Sequence, residues 1–241
     1  KGKQYYYVTN KRKWDKKNNE PISKLLESFI SASFEKKPSK SEFFKVILSG
    51  NDDRAELVLA TKHIAERRLE QLGSELSDFD VTYGEDATAV IAISGSNPDA
   101  MEELLAQMTE PFAVEIRLMA EVHEEGDIAV EGLGSFRDID IHKKDMKWVL
   151  SRAMEANPLN RGEIMIQFTE EGTEKMDALF SEHSGEDIGL FIRNQLAANF
   201  AINQDSFGGA ITIPNVPSAE LAQIFADDMN VGINMTFTQS Q

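Results

Sequence analysis

The chain has 241 residues, no cysteine and a formal net charge of −16, which leaves no disulfide framework and no thiol or zinc-thiolate chemistry. No apolar run approaches the roughly 20 residues that a membrane-spanning helix needs, and the length suffices for two small cores. Charge is uneven: residues 1–50 hold 12 Lys and Arg against 5 Asp and Glu, so the rest of the chain carries 13 against 36 and is too acidic to favour a nucleic-acid partner.

Residues 1–42 read as a basic arm. Tyr5, Tyr6 and Tyr7 and the run Lys11-Arg12-Lys13-Trp14 mix aromatic and basic side chains, a combination suited to a lipid headgroup surface or to nucleic acid, and equally to a solvated linker beside a membrane anchor. Within it, Ile22, Leu25, Leu26, Phe29 and Ile30 share one face of a helix expected over Pro21–Phe34. The first residue is Lys rather than Met, which fits an anchor or leader preceding the arm.

Residues 43–119 alternate the two hydrophobic periods as strand, helix, strand, strand, helix, strand, the βαββαβ order of a ferredoxin-like unit. Phe43–Leu48 is an apolar run. Val58, Ala65, Leu69 and Leu72 lie on one face of a helix that stops at Gly73. Phe79, Val81 and Tyr83 alternate, Gly84-Glu85-Asp86 turns the chain, and Val90–Ile93 is apolar on both faces, as in a central strand. Pro98 opens a second helix, where its missing N–H costs little, with Met101, Leu104, Leu105 and Met108 inward. Phe112, Val114, Ile116 and Leu118 supply the expected closing strand.

Residues 120–162 read as a connector, punctuated by Gly126, Gly132, Gly134 and Pro158 and carrying a short helix over about Lys143–Met154. The three glycines are the expected hinge. His123, His142, His63 and His183 are far apart, and none has a second ligand at helical spacing. His123-Glu124-Glu125-Gly126-Asp127 reads as a solvated acidic loop, and Asp138-Ile139-Asp140 as a surface strand that would hold a cation loosely at most. Walker, dinucleotide and nucleophile-elbow motifs are all missing. No metal, cofactor or catalytic residue is therefore assigned, and no enzyme is expected.

The C-terminal segment, 163–241, is the clearest. Ile164, Ile166 and Phe168 alternate as a strand, Thr169-Glu170-Glu171 caps a helix carrying Met176, Leu179 and Phe180, and short strands follow at Ile188–Ile192, Leu196–Ile202 and Ala210–Ile213. Ser218 caps a second helix with Leu221, Ile224, Phe225 and Met229 on one face, and Ile233, Met235 and Phe237 alternate as a final strand.

This order resembles the head subdomain of the first periplasmic domain of SecD, the accessory subunit of the bacterial protein-export channel. The likeness lies in Ile164-Met165-Ile166-Gln167-Phe168-Thr169-Glu170-Glu171-Gly172, in Gly208-Gly209-Ala210-Ile211-Thr212-Ile213, and in Ala219-Glu220-Leu221-Ala222 followed by Gly232 and a terminal strand. Ile64-Ala65-Glu66-Arg67-Arg68-Leu69-Glu70-Gln71-Leu72-Gly73 and Glu115-Ile116-Arg117 resemble the base of the same domain. Where the family carries a Gly turn and a Pro, this chain has Arg193-Asn194-Gln195-Leu196-Ala197-Ala198-Asn199-Phe200.

The resemblance implies an α+β fold of two linked subdomains, a ferredoxin-like base and a βαβββαβ-type head. It also implies an extracytoplasmic, membrane-anchored module that binds translocating or unfolded polypeptide without cofactors, with translocase membrane subunits as further partners. On that reading Arg193, Phe200, Phe207, Gly208 and Gly209 form the polypeptide-binding region. The alternative is a structural or scaffolding subunit of an envelope assembly.

Overall fold

The computed structural model describes residues 5–8, 41–48, 54–83, 88–154, 161–204 and 206–240. The expected helix over 21–34, the turn at 84–86 and Pro158 lie outside them. The chain is α+β and divides into two compact units, one made of residues 1–111 together with 234–241 and the other of residues 112–233.

The first unit contains β1 (Tyr5–Val8), β2 (Ser41–Leu48), α1 (Arg54–Gln71), β3 (Leu76–Tyr83), β4 (Thr88–Gly95), α2 (Pro98–Thr109) and β13 (Met235–Ser240). Its sheet runs β1-β13-β2-β4-β3, and β4 is a central strand, as its two apolar faces require: Ile91, Ala92, Ile93 and Ser94 are all buried. Asn97 caps α2 by accepting the Asp99 N–H at 3.0 Å, with Pro98 in the first turn; the cap satisfies a donor that helix geometry leaves unpaired. Inside α1 the buried Thr61 hydroxyl donates to the Leu57 carbonyl at 2.7 Å and lies 3.3 Å from the Met235 sulfur on β13.

The strand that completes this βαββαβ order is therefore β13 and not the run Phe112–Leu118. Those residues form β5 (Val114–Ala120), the middle strand of the second unit's five-stranded antiparallel sheet, β11-β10-β5-β7-β6. Alternation specifies which residues face a core but not which strand lies alongside, and the sheet partners of β5 are β7 and β10. The boundaries accordingly fall after Pro111 and after Ile233, not within 120–162.

The remaining elements of the second unit are β6 (Ile128–Val130), β7 (Gly134–His142), one 3-10 turn (Lys143–Asp145), β8 (Met146–Ala153), β9 (Gly162–Phe168), α3 (Glu170–Glu182), β10 (Asp187–Ile192), β11 (Gln195–Ala201), β12 (Ala210–Val216) and α4 (Ala219–Asn234). Strands β12-β9-β8 form a second, three-stranded sheet. Its Val149, Ile164 and Ile166 share one core with Ile116 and Ile141 of the larger sheet, Met176 of α3 and Met229 of α4.

The helix expected over 143–154 is a strand after its first turn. Met146, Trp148 and Val149 are buried and β8 pairs along its length with β9, so tertiary pairing overrides a local pattern that a helix would also fit. The expected hinge glycines sit inside this unit. Gly126 lies in the turn that precedes β6, and Gly132 and Gly134 close the β6–β7 hairpin, at φ of 98°, 79° and 128°. Their role is to turn one sheet's edge, since neither crossing between units passes through them.

Candidate functional site

Strand β11 forms one edge of the five-stranded sheet. It leaves β10 through Arg193 and Asn194, both left-handed at φ 49° and 62°, the backbone of a two-residue turn that matches strand twist. The Arg193 N–H donates to the Ala113 carbonyl at 2.9 Å, tying the turn to the start of β5. Along β11 the side chains alternate, with Gln195, Ala197, Asn199 and Ala201 exposed, Leu196 half-buried, and Ala198 and Phe200 half-buried against the core.

Edge strands invite pairing, and proteins usually blunt them with charge, proline, shortness or cover. The other edges show these devices. β12 carries Pro214 and a register shift with Asn215 at φ 60°; β8 carries Lys147 and Arg152; β6 has three residues; β3 carries Asp78 and Asp80; and β1 has four residues. β11 has seven residues, Gln-Leu-Ala-Ala-Asn-Phe-Ala, with neither charge nor proline. Its one irregularity is a register shift that leaves Ala197 as an extra residue opposite Leu190 and Phe191.

The other residues assigned to polypeptide binding do not all join this edge. Phe207 is buried, with its ring edge-on to Phe168 and Phe180 at 5.3 Å from each, and its N–H donates to Asp177 Oδ1 at 3.1 Å. It is a core residue holding the segment before β12 onto α3. Gly208 and Gly209 are exposed and lead into β12, the edge of the other sheet. Of the five, Arg193 and Phe200 belong to the β10–β11 hairpin.

A second cluster lies where β5 meets β7. The pairing slips between Ile116 and Arg117, which face Ile141 and Asp138, so β7 carries two extra residues, Ile139 and Asp140. Asp140 is left-handed at φ 54°, and its N–H donates to Asp138 Oδ1 at 2.9 Å. This bulge gathers side chains around His142. Its Nδ1 is 3.7 Å from Glu115 Oε2, and its Nε2 is 3.7 Å from Asp138 Oδ1 and 3.4 Å from Asp140 Oδ1.

Cations surround the cluster. The buried Arg117 grips Glu115 through Nε at 2.8 Å and Nη2 at 3.3 Å. Lys175 of α3 donates to the Asp140 carbonyl at 2.8 Å and to Asp140 Oδ2 at 3.0 Å, and pairs with the buried Asp145 at 3.1 Å. Burial alone would lower the Lys175 ammonium's pKa, but its hydrogen bonds to Asp140 and Asp145 hold it above the ordinary lysine value. The same Lys175 bond, with Lys144 nearby, holds the Asp140 carboxyl below the usual range.

His123, by contrast, stands apart. Its Nδ1 meets Ser135 Oγ at 2.8 Å, while its acidic neighbours Glu124 and Asp127 pair with Arg137 at 3.0 and 3.5 Å. The hydrogen bond from the Glu124 N–H and the Arg137 contacts lower the pKa of Asp127. His123, Glu124, Glu125 and Gly126 are exposed, as the composition suggests, while the Asp127 side chain is covered.

No protein-family model matches the chain, and no curated protein sequence matches it. Among solved structures, it is similar to SecDF, described as a membrane component that enhances protein export, with 14% identity and a TM-score of 0.46 over 83% of this chain and 99% of that one. SecDF in its super-membrane-facing form aligns at 13% identity and TM-score 0.47, over 91% of this chain and 35% of that one. SecDF of Thermus thermophilus, a translocon-associated membrane protein, aligns at 15% and 0.41, over 92% and 36%. The chain thus spans about a third of the latter two, and at these identities and TM-scores the alignments assign no residue a role.

Proposed function

We propose that this protein is a non-enzymatic, extracytoplasmic module that binds extended or translocating polypeptide during protein export, and that it does so by strand addition at β11. The observation that carries the reading is the uncharged, proline-free seven-residue edge at Gln195–Ala201. An incoming chain would gain main-chain hydrogen bonds there irrespective of its sequence, which suits a binder of many clients. The exposed faces of Ala197, Asn199 and Ala201 are small and let a second backbone approach.

The sequence resemblance to the SecD periplasmic domain supports the same reading. Among the described residues no helix is long and apolar enough to cross a membrane, so a membrane anchor and a translocase partner would come from other segments. The net charge of −23 outside residues 1–50 favours encounter with basic client segments, an attraction that weakens with salt.

The test is binding of a fluorescently labelled, permanently unfolded protein at low salt to the wild type and to Asn199→Lys and Asn199→Pro. Both variants should keep the wild-type circular dichroism and lose at least about tenfold in affinity, because each installs a device that protects natural edges. Undiminished binding by both folded variants would move the client elsewhere. A wild type that binds no unfolded chain would leave the scaffold role in its place.

A further inference from the structure

We infer that Glu115, Asp138 and His142 form a binding site for one divalent transition-metal ion of the zinc class, on the face of the five-stranded sheet where β5 meets β7. One donor atom from each of the three lies within 4.8 Å of the others. A zinc ion bound at about 2.0–2.2 Å from nitrogen and oxygen requires donor separations of roughly 3.3–3.6 Å. An imidazole gives a metal one nitrogen, so His142 would bind through Nδ1, 3.7 Å from Glu115 Oε2, or through Nε2, 3.7 Å from Asp138 Oδ1; with either nitrogen, side-chain movements of about an ångström bring the three donors, now within 4.8 Å, to that spacing.

The placement is not what a regular strand would give. Residues four apart on a strand lie roughly 13 Å apart, yet His142 Nε2 and Asp138 Oδ1 are 3.7 Å apart because the bulge at Ile139 and Asp140 folds the strand back. Across the sheet, Glu115 is fixed from behind by Arg117, whose Nη1 is itself held by the carbonyls of Gly126 and Phe136 at 3.2 and 3.3 Å. Such an outer partner orients a ligand and is half of a working metal site.

Charge points the same way. The connected network holds the carboxylates of Glu115, Asp138, Asp140, Asp145 and Glu171 against the cations Arg117, Lys144 and Lys175. With His142 neutral, two negative charges are left over, the charge of one divalent cation. Among the described residues no Lys or Arg ion-pairs with Asp138. One imidazole and two carboxylates suit Zn2+ or Mn2+, whereas Ca2+ takes six to eight oxygens and Mg2+ a near-octahedral oxygen set.

The experiment is calorimetric titration of the metal-free full chain with Zn2+, with thermal unfolding read in parallel. One equivalent should bind and raise the melting temperature, since the ion binds the folded state and joins two strands. Glu115→Gln, Asp138→Asn and His142→Ala should each weaken the affinity at least about tenfold, while His183→Ala, which removes a histidine from a different carboxylate pair, should leave it unchanged. Asp138→Asn alters an exposed side chain and keeps its size, so it reads the site even where His142→Ala folds poorly. No stoichiometric uptake by the wild type, undiminished uptake by folded Asp138→Asn, equal competition by Ca2+, or loss of uptake in His183→Ala would each overturn the assignment.

Discussion

The Asn230 side chain closes the outer edge of β8 by pairing with both main-chain groups of Val149: its Oδ1 accepts the Val149 N–H at 2.7 Å, and its Nδ2 donates to the Val149 carbonyl at 2.8 Å. A helix side chain here does what a neighbouring strand would do, so α4 covers an edge that would otherwise hold a buried, unpaired donor and acceptor. Among the described residues no side chain bonds to the outer edge of β11 in this way, and the contrast between the two edges underlies the binding role proposed for β11.

Replacing Asn230 by Ala should therefore cost roughly 2–4 kcal/mol, since two buried backbone groups lose their partners. Asn230→Asp keeps the acceptor but faces the Val149 carbonyl with an oxygen, and should be at least as damaging. Chemical denaturation of the two variants checks this; a loss under about 0.5 kcal/mol in both would show that water replaces the amide.

Gly172 in the first turn of α3 packs against the 3-10 turn so closely that an added Cβ would meet the Asp145 carbonyl oxygen. That oxygen also accepts the Thr169 N–H at 2.8 Å, so the clash would strike the N-cap of the helix. Gly172→Ala should destabilise by about 1–3 kcal/mol or more. At Gly208, where a Cβ would meet nothing within 4 Å, Ala should fall within about 0.5 kcal/mol of wild type. Paired urea titrations decide the matter, and equal effects at the two positions would refute the packing account.

The bulge at Asp140 should loosen in acid. Its carboxyl is held below the ordinary value, chiefly by the Lys175 hydrogen bond, so its contribution is fully present above the unfolded-state value of about 3.9 and is lost as pH falls through the lower folded value. Lys175, held above the ordinary value of 10.5, contributes below that value and loses its contribution only as pH rises beyond it. In Asp140→Asn the acid-side fall in urea midpoint between about pH 5 and 2 should be shallower than in wild type. An unchanged slope would mean that other carboxylates carry the acid response.

Much of the fold was legible because the period of the apolar residues changes where the structure changes. Ile164, Ile166 and Phe168 are buried on β9 and Met176, Leu179 and Phe180 on α3, as their spacings of two and of three to four require. What the sequence does not carry is partnership. Val114 and Ile116 alternate equally well for either sheet, and Met146, Trp148 and Val149 become a strand only because β9 lies beside them. Ile233, expected in the last strand, lies in the last turn of α4 instead. The His142 cluster was hidden for a related reason: Glu115 reaches it across the sheet and Asp138 through a bulge that composition does not reveal. The alternation Asp138, Asp140, His142 was its one visible trace.

The discontinuous first unit makes the two cores unequal partners. Its sheet needs β13, which lies between β1 and β2 and buries Met235 and Phe237, and that strand arrives only after the whole of residues 112–233. When the inserted unit is folded, the chain between α2 and β13 is already gathered; when it is unfolded, closing a loop of roughly 120 residues costs up to about 4 kcal/mol of chain entropy. Phe191→Ala, which empties a fully buried site in the inserted unit, should cost about 3–5 kcal/mol there and also weaken the first unit. Ile93→Ala on β4 should cost about 2–5 kcal/mol in the first unit and leave the inserted one, whose chain is continuous, protected. Hydrogen exchange resolved by segment reads both at once, and equal cross-effects from the two substitutions would overturn this asymmetry.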